Sequence, residues 1–278
     1  MSTTTLVIAS YNQPNALTFV FEGVLCQRHA IDQIVIADDG STPETKALVD
    51  ALRSRTNIPL VFTTQEDRGF RKAKALNNAL RQATGDLVLF LDGDCIPPPD
   101  WAATFVGLLE RGADFVTAGY VLMDAARTRS LAIERVRQGS VNDYVTADEV
   151  RALRWRHWKE RLYGLVGRQR KPKILGGNWA AKMSALRAVN GFDERFDGFT
   201  KEDSDIRNRL RNAGFYGVSA WDRNWVLHCS HDIDPARTAP GVWRRNADMT
   251  YYRAQQQAAR CDMGLMIETR DRRRSGAG

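Results

Sequence analysis

The sequence predicts an α/β fold: a mostly parallel sheet with helices on both faces. Three observations carry this. Short apolar runs of strand length recur through the first hundred residues. Segments with helical apolar spacing separate them, the pattern of a parallel sheet covered on both sides. Each run also ends in polar or acidic residues, at the strand ends where open parallel sheets bind ligands.

The elements follow in order. Residues 6–9 form a first strand. Pro14 opens a helix with Leu17, Val20, Phe21, Val24 and Leu25 on one stripe. Residues 33–37 form a second strand running into Asp38-Asp39-Gly40-Ser41. Ser41 and Glu44 have capping-box spacing around Pro43, starting a helix that packs Leu48, Ala51 and Leu52. A strand over 60–64, a helix over about 70–83 and a strand over 87–91 complete the series. Beyond Pro97-Pro98-Pro99 the pattern loosens, and residues 115–122 read as one strand. Thr146 and Glu149 form a second capping box, before a helix with Val150, Leu153, Trp158 and Leu162 on its apolar stripe. Residues 176–179 read as a loop. Asp203 begins a helix carrying Ile206 and Leu210, with Gly214 as its C′ residue.

The net charge of +7 is local. Residues 127–173 hold 13 Lys and Arg against 5 Asp and Glu, so the rest of the chain is close to neutral and this window suits an anionic partner. It holds no recognisable DNA- or RNA-binding motif, so a nucleic-acid partner is not expected, although a nucleic-acid-binding protein is the alternative such basicity raises. Cys26, Cys95, Cys229 and Cys261 form no C-x-x-C pair and read as isolated thiols. No apolar run approaches the roughly 20 residues a membrane helix needs. The expected location is cytoplasmic, with peripheral contact at the inner face of an anionic membrane. Trp155, off its helix stripe beside Arg154, Arg156 and Lys159, suits an acceptor sugar or a membrane surface.

Asp92-Gly93-Asp94 directly follows a buried strand. Carboxylates at i and i+2 in extended backbone point the same way, and the intervening glycine admits a close approach. Two such oxygen donors suit Mg²⁺ or Mn²⁺ with positions left for phosphate oxygens, although D-G is also common turn punctuation. Asp38 and Asp39 either accept from a ribose or base edge or serve an ordinary helix N-terminus. On the helix over 70–83, Arg71, Lys74 and Asn78 share one polar face that suits a diphosphate or plain solvent. Gly177, Asn178 and Trp179 offer close backbone approach, a polar amide and a ring for a pyranose face, or else a turn and a core tryptophan. His228 follows an apolar run and is preferred over His231 as a metal ligand; a separate zinc site from His228, Cys229, His231 and Asp232 is the competing reading.

Ser10-Tyr11-Asn12, Asp38-Asp39-Gly40-Ser41, Arg68-Gly69-Phe70-Arg71, Asp92-Gly93-Asp94-Cys95 and Gly198-Phe199-Thr200-Lys201-Glu202-Asp203 occur in the order seen in family 2 glycosyltransferases, which the chain resembles over roughly residues 4–232. From Gly176 to Asp203 it looks like galactosyltransferase-type and chondroitin-polymerase-type members. The resemblance implies a GT-A fold, a Rossmann-like sheet continuous with a smaller acceptor-binding part. It also implies a nucleotide-sugar donor, UDP-linked, and inversion at the anomeric carbon. By the same likeness Ala9, Ser10, Tyr11, Asn12, Asp38, Asp39, Gly69, Arg71, Lys74, Asp92 and Gly93 contact the nucleotide. Asp94, with His228 and Asp92, holds the metal. Asp203 is the base, and Glu202 orients the acceptor or the helix. Many members read W-G-x-E-D; here Lys201 precedes the acidic pair, which bears on the sugar contacts and not on the base.

The implied activity is transfer of a hexose or N-acetylhexosamine to a glycan or lipid-linked hydroxyl in envelope polysaccharide assembly, including lipopolysaccharide. A nucleotidyltransferase on the same fold is a further alternative, but Ser10-Tyr11-Asn12-Gln13-Pro14 is not a glycine-rich phosphate loop. The expected parts are 1–122 for the nucleotide sugar, 123–268 for acceptor and base with a basic helical insertion, and a flexible tail over 269–278.

Overall fold

The computed structural model describes residues 2–166, 171–197, 201–231 and 249–266. Its main sheet has seven strands in the order β3-β2-β1-β4-β8-β6-β9, the last being Gly217–Ser219. β1 (Thr4–Ser10), β2 (Gln33–Asp38), β3 (Leu60–Thr63) and β4 (Leu87–Asp92) are parallel, each within a residue or two of its expected place. A small second sheet joins β5 (Cys95–Ile96), β7 (Gly119–Leu122) and β10 (Trp225–His228).

Strand alternation sorts the core onto two faces. Leu6 and Ile8 face α1 (Pro14–Leu25), α2 (Pro43–Arg53) and α4 (Trp101–Glu110). Val7 and Val35 face α3 (Lys72–Gln82), α8 (Met183–Ala188) and α9 (Glu202–Asn212). The register aligns Ser10 with Asp38 and Ala9 with Asp92, so three polar strand ends share one edge. Around the back, buried Glu22 of α1 pairs with Arg55 at 2.5 Å and Arg137 at 3.1 Å, pinning α6 (Ile133–Arg137), which follows the short α5 (Ala125–Arg129), near that helix.

Four expectations need correction. The strand over 115–122 is two strands in different sheets, β6 (Phe115–Thr117) and β7, because the chain turns at Ala118. The loop over 176–179 instead leads into β8 (Asn178–Lys182), which lies antiparallel between β4 and β6; so short a run without β-branched residues carries little strand signal. The cap of α2 is Thr42, while Ser41 donates to Asp38 and accepts from the Asn12 N–H at 2.9 Å.

The fourth concerns α7 (Ala147–Leu165), whose Thr146–Glu149 capping box is present as expected. Its inward stripe is Leu153, Arg156, His157 and Glu160, and Trp158 and Leu162 are exposed. Specific partners let polar groups replace apolar ones there. Arg156 lies 4.1 Å over the Trp221 ring, His157 meets Asp222 at 3.2 Å, and Glu160 accepts from the Lys171 ammonium. The proposed tail lies outside the described residues, as do Gly198, Phe199, Thr200 and Asp232.

Candidate active site

The fourth strand delivers Asp92 to the polar edge. Asp92 and Gly177, at the entry to β8, exchange hydrogen bonds: the Asp92 N–H donates to the Gly177 carbonyl at 3.0 Å, and the Gly177 N–H donates to Asp92 Oδ2 at 2.9 Å. The next amide back, that of Gly176, donates to Asp203 Oδ2 at 2.5 Å. Position 177 has to be glycine, since a Cβ there would stand 2.3 Å from both the Asp92 nitrogen and Oδ1. Lys72, at the first turn of α3, reaches Asp92 Oδ1 at 2.5 Å with its side chain only 16% exposed.

The electrostatics follow from this crowding. Burial disfavours the Lys72 charge, but Asp92, Asp203 and Glu202 outweigh it and hold the ammonium above the ordinary lysine range. Burial pushes the Asp203 carboxyl up, assisted by the Asp92 charge and opposed by Lys72 and the Gly176 N–H. Tyr120, on β7, donates to the Leu175 carbonyl; burial raises its phenol well above the usual range, and the charges of Asp92, Asp94 and Asp203 add to that. Both acidic centres therefore act on one half-buried hydroxyl.

Asp94 stands on the other side of the glycine, 7% exposed. Antiparallel pairing of β10 with β5 sets His228 opposite Cys95, so the small sheet brings the histidines to the acidic turn. His231 Nε2 lies 3.1 Å from Asp94 Oδ2, and His228 Nε2 lies 3.8 Å from Oδ1. One ligand atom from each of the three falls within 4.8 Å of the other two, a mixed imidazole and carboxylate set that fits a divalent transition ion. Burial works against the Asp94 charge, but the His231 hydrogen bond and both imidazoles hold its carboxyl below the ordinary value. The competing zinc site is not what forms among the described residues: Asp94, not Cys229, completes the histidine pair. Asp92 lies beside this group, with one oxygen on Lys72 and the other on Gly177.

Several expected contacts are structural instead. Trp179 is 1% exposed and stacks on Phe90 at 4.3 Å, a core pair worth about 0.5–1.5 kcal/mol beyond its area; no pyranose reaches that ring. Asn178, 2% exposed, spends its amide on the Gly119 carbonyl and the Trp101 indole, so it is no sugar contact either. The open side of Gly93 is filled by the Ala9 carbonyl, 2.8 Å from where a Cβ would stand. Asp38 is buried and accepts from the Gly40 and Ser41 amides and the Ser41 and Thr64 hydroxyls, so it organises its turn.

The remaining nucleotide candidates ring the same edge. Asp39 accepts from Gln65 at 2.7 Å and from the Arg71 N–H at 2.8 Å. Tyr11 donates to Asp67 at 2.9 Å, and the same Asp67 accepts from the Gly69 N–H at 3.1 Å. Asn12, at φ +48°, accepts from the Thr42 N–H at 2.8 Å. Ser10 is buried at its strand end. The Arg71 guanidinium turns back to the Glu66 carbonyl and Lys74 is half-buried, so the cation on Asp92 is Lys72. Neither Lys72 nor Tyr120 stands out in the sequence, and His231, ranked there behind His228, joins it at Asp94. Lys72 carried a signal, since it heads the buried stripe of Ala75, Leu76 and Ala79, where an unpaired charge is disfavoured. Tyr120 carried none.

The description of Glycosyl transferase family 2 matches residues 5–189. The chain belongs to that family. The glycosyltransferase also matches the N-terminal domain of galactosyltransferase over residues 156–231. It is 27% identical to the chondroitin synthase of Escherichia coli over 229 residues, which is 76% of this chain and 32% of that protein. The chain thus spans about a third of that relative. Two solved structures share its GT-A fold. The mannosyltransferase PcManGT from Pyrobaculum calidifontis, in complex with GDP-Man and Mn²⁺, has a TM-score of 0.59 at 21% identity, over 88% of this chain and 61% of that one. Glucosyl-3-phosphoglycerate synthase from Mycobacterium tuberculosis, in complex with Mn²⁺, UDP-glucose and phosphoglyceric acid, has a TM-score of 0.55 at 17% identity, over 92% and 80%.

Proposed function

We propose that this glycosyltransferase is an inverting, metal-dependent enzyme that moves a hexose or N-acetylhexosamine from a UDP-linked donor to a hydroxyl of a glycan or lipid-linked acceptor in envelope polysaccharide synthesis. The observation that carries the reading is Asp203, seated by the Gly176 amide next to the Asp92–Lys72 pair, one turn of chain from the Asp94–histidine group. Mn²⁺ in both solved relatives and a nucleoside diphosphate sugar in each support it.

A divalent cation held by Asp94, His228 and His231 would supply positive charge against a departing diphosphate. Asp203 accepts the proton of the incoming hydroxyl, and its raised pKa suits a base working near neutral pH. The Gly176 N–H fixes which oxygen of that carboxylate stays free. Lys72 holds Asp92 in place, and Glu202, 9% exposed, starts the helix that aims Asp203. Asp39, Tyr11 and Asn12 border the nucleotide end of the cleft. Hydrolysis of a panel of nucleotide sugars, with Mn²⁺ present or chelated, tests this. Turnover that survives chelation would remove the role given to Asp94.

A further inference from the structure

The outward face of α7 is apolar at its centre and cationic at its borders. Trp155 and Trp158 are 57% and 54% exposed and stack on each other, ring centroids 5.3 Å apart. Leu162 and Val166 continue the stripe at 41% and 65%. Large apolar side chains aligned in this way are not left in water without a partner. Exposed Arg154, Lys159 and Arg161 border them, and Lys159 lies 5.0 Å over the Trp155 ring. Between Val150 and Val166 the chain has one acid, Glu160, and it is buried and turned inward to Lys171 and the Lys173 amide. The exposed acid at the start of the helix, Asp148, is paired with Arg151, so the cations beside the indoles remain uncompensated by the helix between Val150 and Val166.

We propose that this face docks on an anionic lipid bilayer, with the indoles at headgroup level and the cations on lipid phosphates. Indole rings favour that depth and basic side chains favour a negative surface. Charge complementarity selects this occupant over a second copy of the chain, which would set these same cations against each other. The inward side of α7 packs on β7, the strand that carries Tyr120. Docking would therefore set the bilayer one layer from the site, within reach of a lipid-linked acceptor. The surface stands apart from the catalytic reading, because soluble nucleotide-sugar hydrolysis is measured without lipid.

Co-sedimentation with vesicles of phosphatidylglycerol and phosphatidylcholine, against phosphatidylcholine alone, tests it. The full chain is expected to pellet with the anionic vesicles only, and less so in high salt. Arg154→Ser with Lys159→Ser should weaken partitioning about fivefold per cation removed. Trp155→Ser with Trp158→Ser should abolish it with the melting temperature unchanged, both rings being exposed. If that pair disturbs folding, the charge pair and the salt series carry the result. The proposal is overturned if anionic vesicles leave the protein in the supernatant, or if neither pair reduces pelleting. Lipid-free dimerisation removed by the tryptophan pair, without vesicle binding, also overturns it.

Discussion

Asp92 and Asp203, 111 positions apart in the chain, accept from the consecutive amides of Gly177 and Gly176. The dipeptide works as a two-pronged clamp that fixes both carboxylates against one strand entry. Lys72 compensates the charge this brings together, at 2.5 Å from Asp92.

Asp203→Asn keeps the size of the side chain and removes the proposed proton acceptor. Transfer should fall by about 10²- to 10⁴-fold, the usual contribution of a positioned base. UDP affinity, measured by calorimetry, should be nearly unchanged. A variant that keeps most of its rate would show that another group takes the proton.

Mn²⁺ affinity should depend on Asp94, His228 and His231 together. Asp94→Ala should weaken it by about 100-fold or more, since even the outer partners of a metal site are typically worth 10–100-fold. His231→Ala should cost at least as much as His228→Ala, given their separations of 3.1 and 3.8 Å from Asp94. Electron paramagnetic resonance titration of free Mn²⁺ reads all three.

The pH profile should carry the sign of the Asp203 shift. Burial raises this carboxyl, so kcat should fall on the acid side at a pH above the ordinary carboxylate range. Lys72 opposes the rise, so Lys72→Met should move that limb to still higher pH. A limb that stays in place, or moves down, would separate Lys72 from the base.

The proposed base, Asp203, sits on a helix with a buried ion pair. Arg209, 1% exposed, meets Asp205 at 2.7 Å and donates to the Val189 and Gly191 carbonyls. Asp205→Ala leaves that guanidinium buried without its carboxylate and should destabilise the protein by about 3–5 kcal/mol, read by denaturant unfolding.

Most of the first half was legible because its elements are local. The apolar runs of β1 through β4 and the stripes of α1 and α3 are set by near neighbours in the sequence, and the acidic turns mark the strand ends. Even there, Asp38 looked like a ligand contact because chemistry alone does not tell a carboxylate turned to its own loop from one turned outward. The α7 stripe misled for a related reason: the Lys171 partner that lets Glu160 go inside lies beyond the helix.

The sequence by itself determined the parallel α/β frame, the acidic strand ends, the helix after Asp203 and the local concentration of positive charge, since each depends on spacings of a few residues. The tertiary structure decided which of those groups meet. Pairing of β10 with β5 brought the histidines to Asp94, and insertion of β8 beside β4 brought the two glycine amides to the carboxylates. Such pairings join segments a hundred residues apart, and their register is set by packing across the whole sheet, which no local pattern encodes.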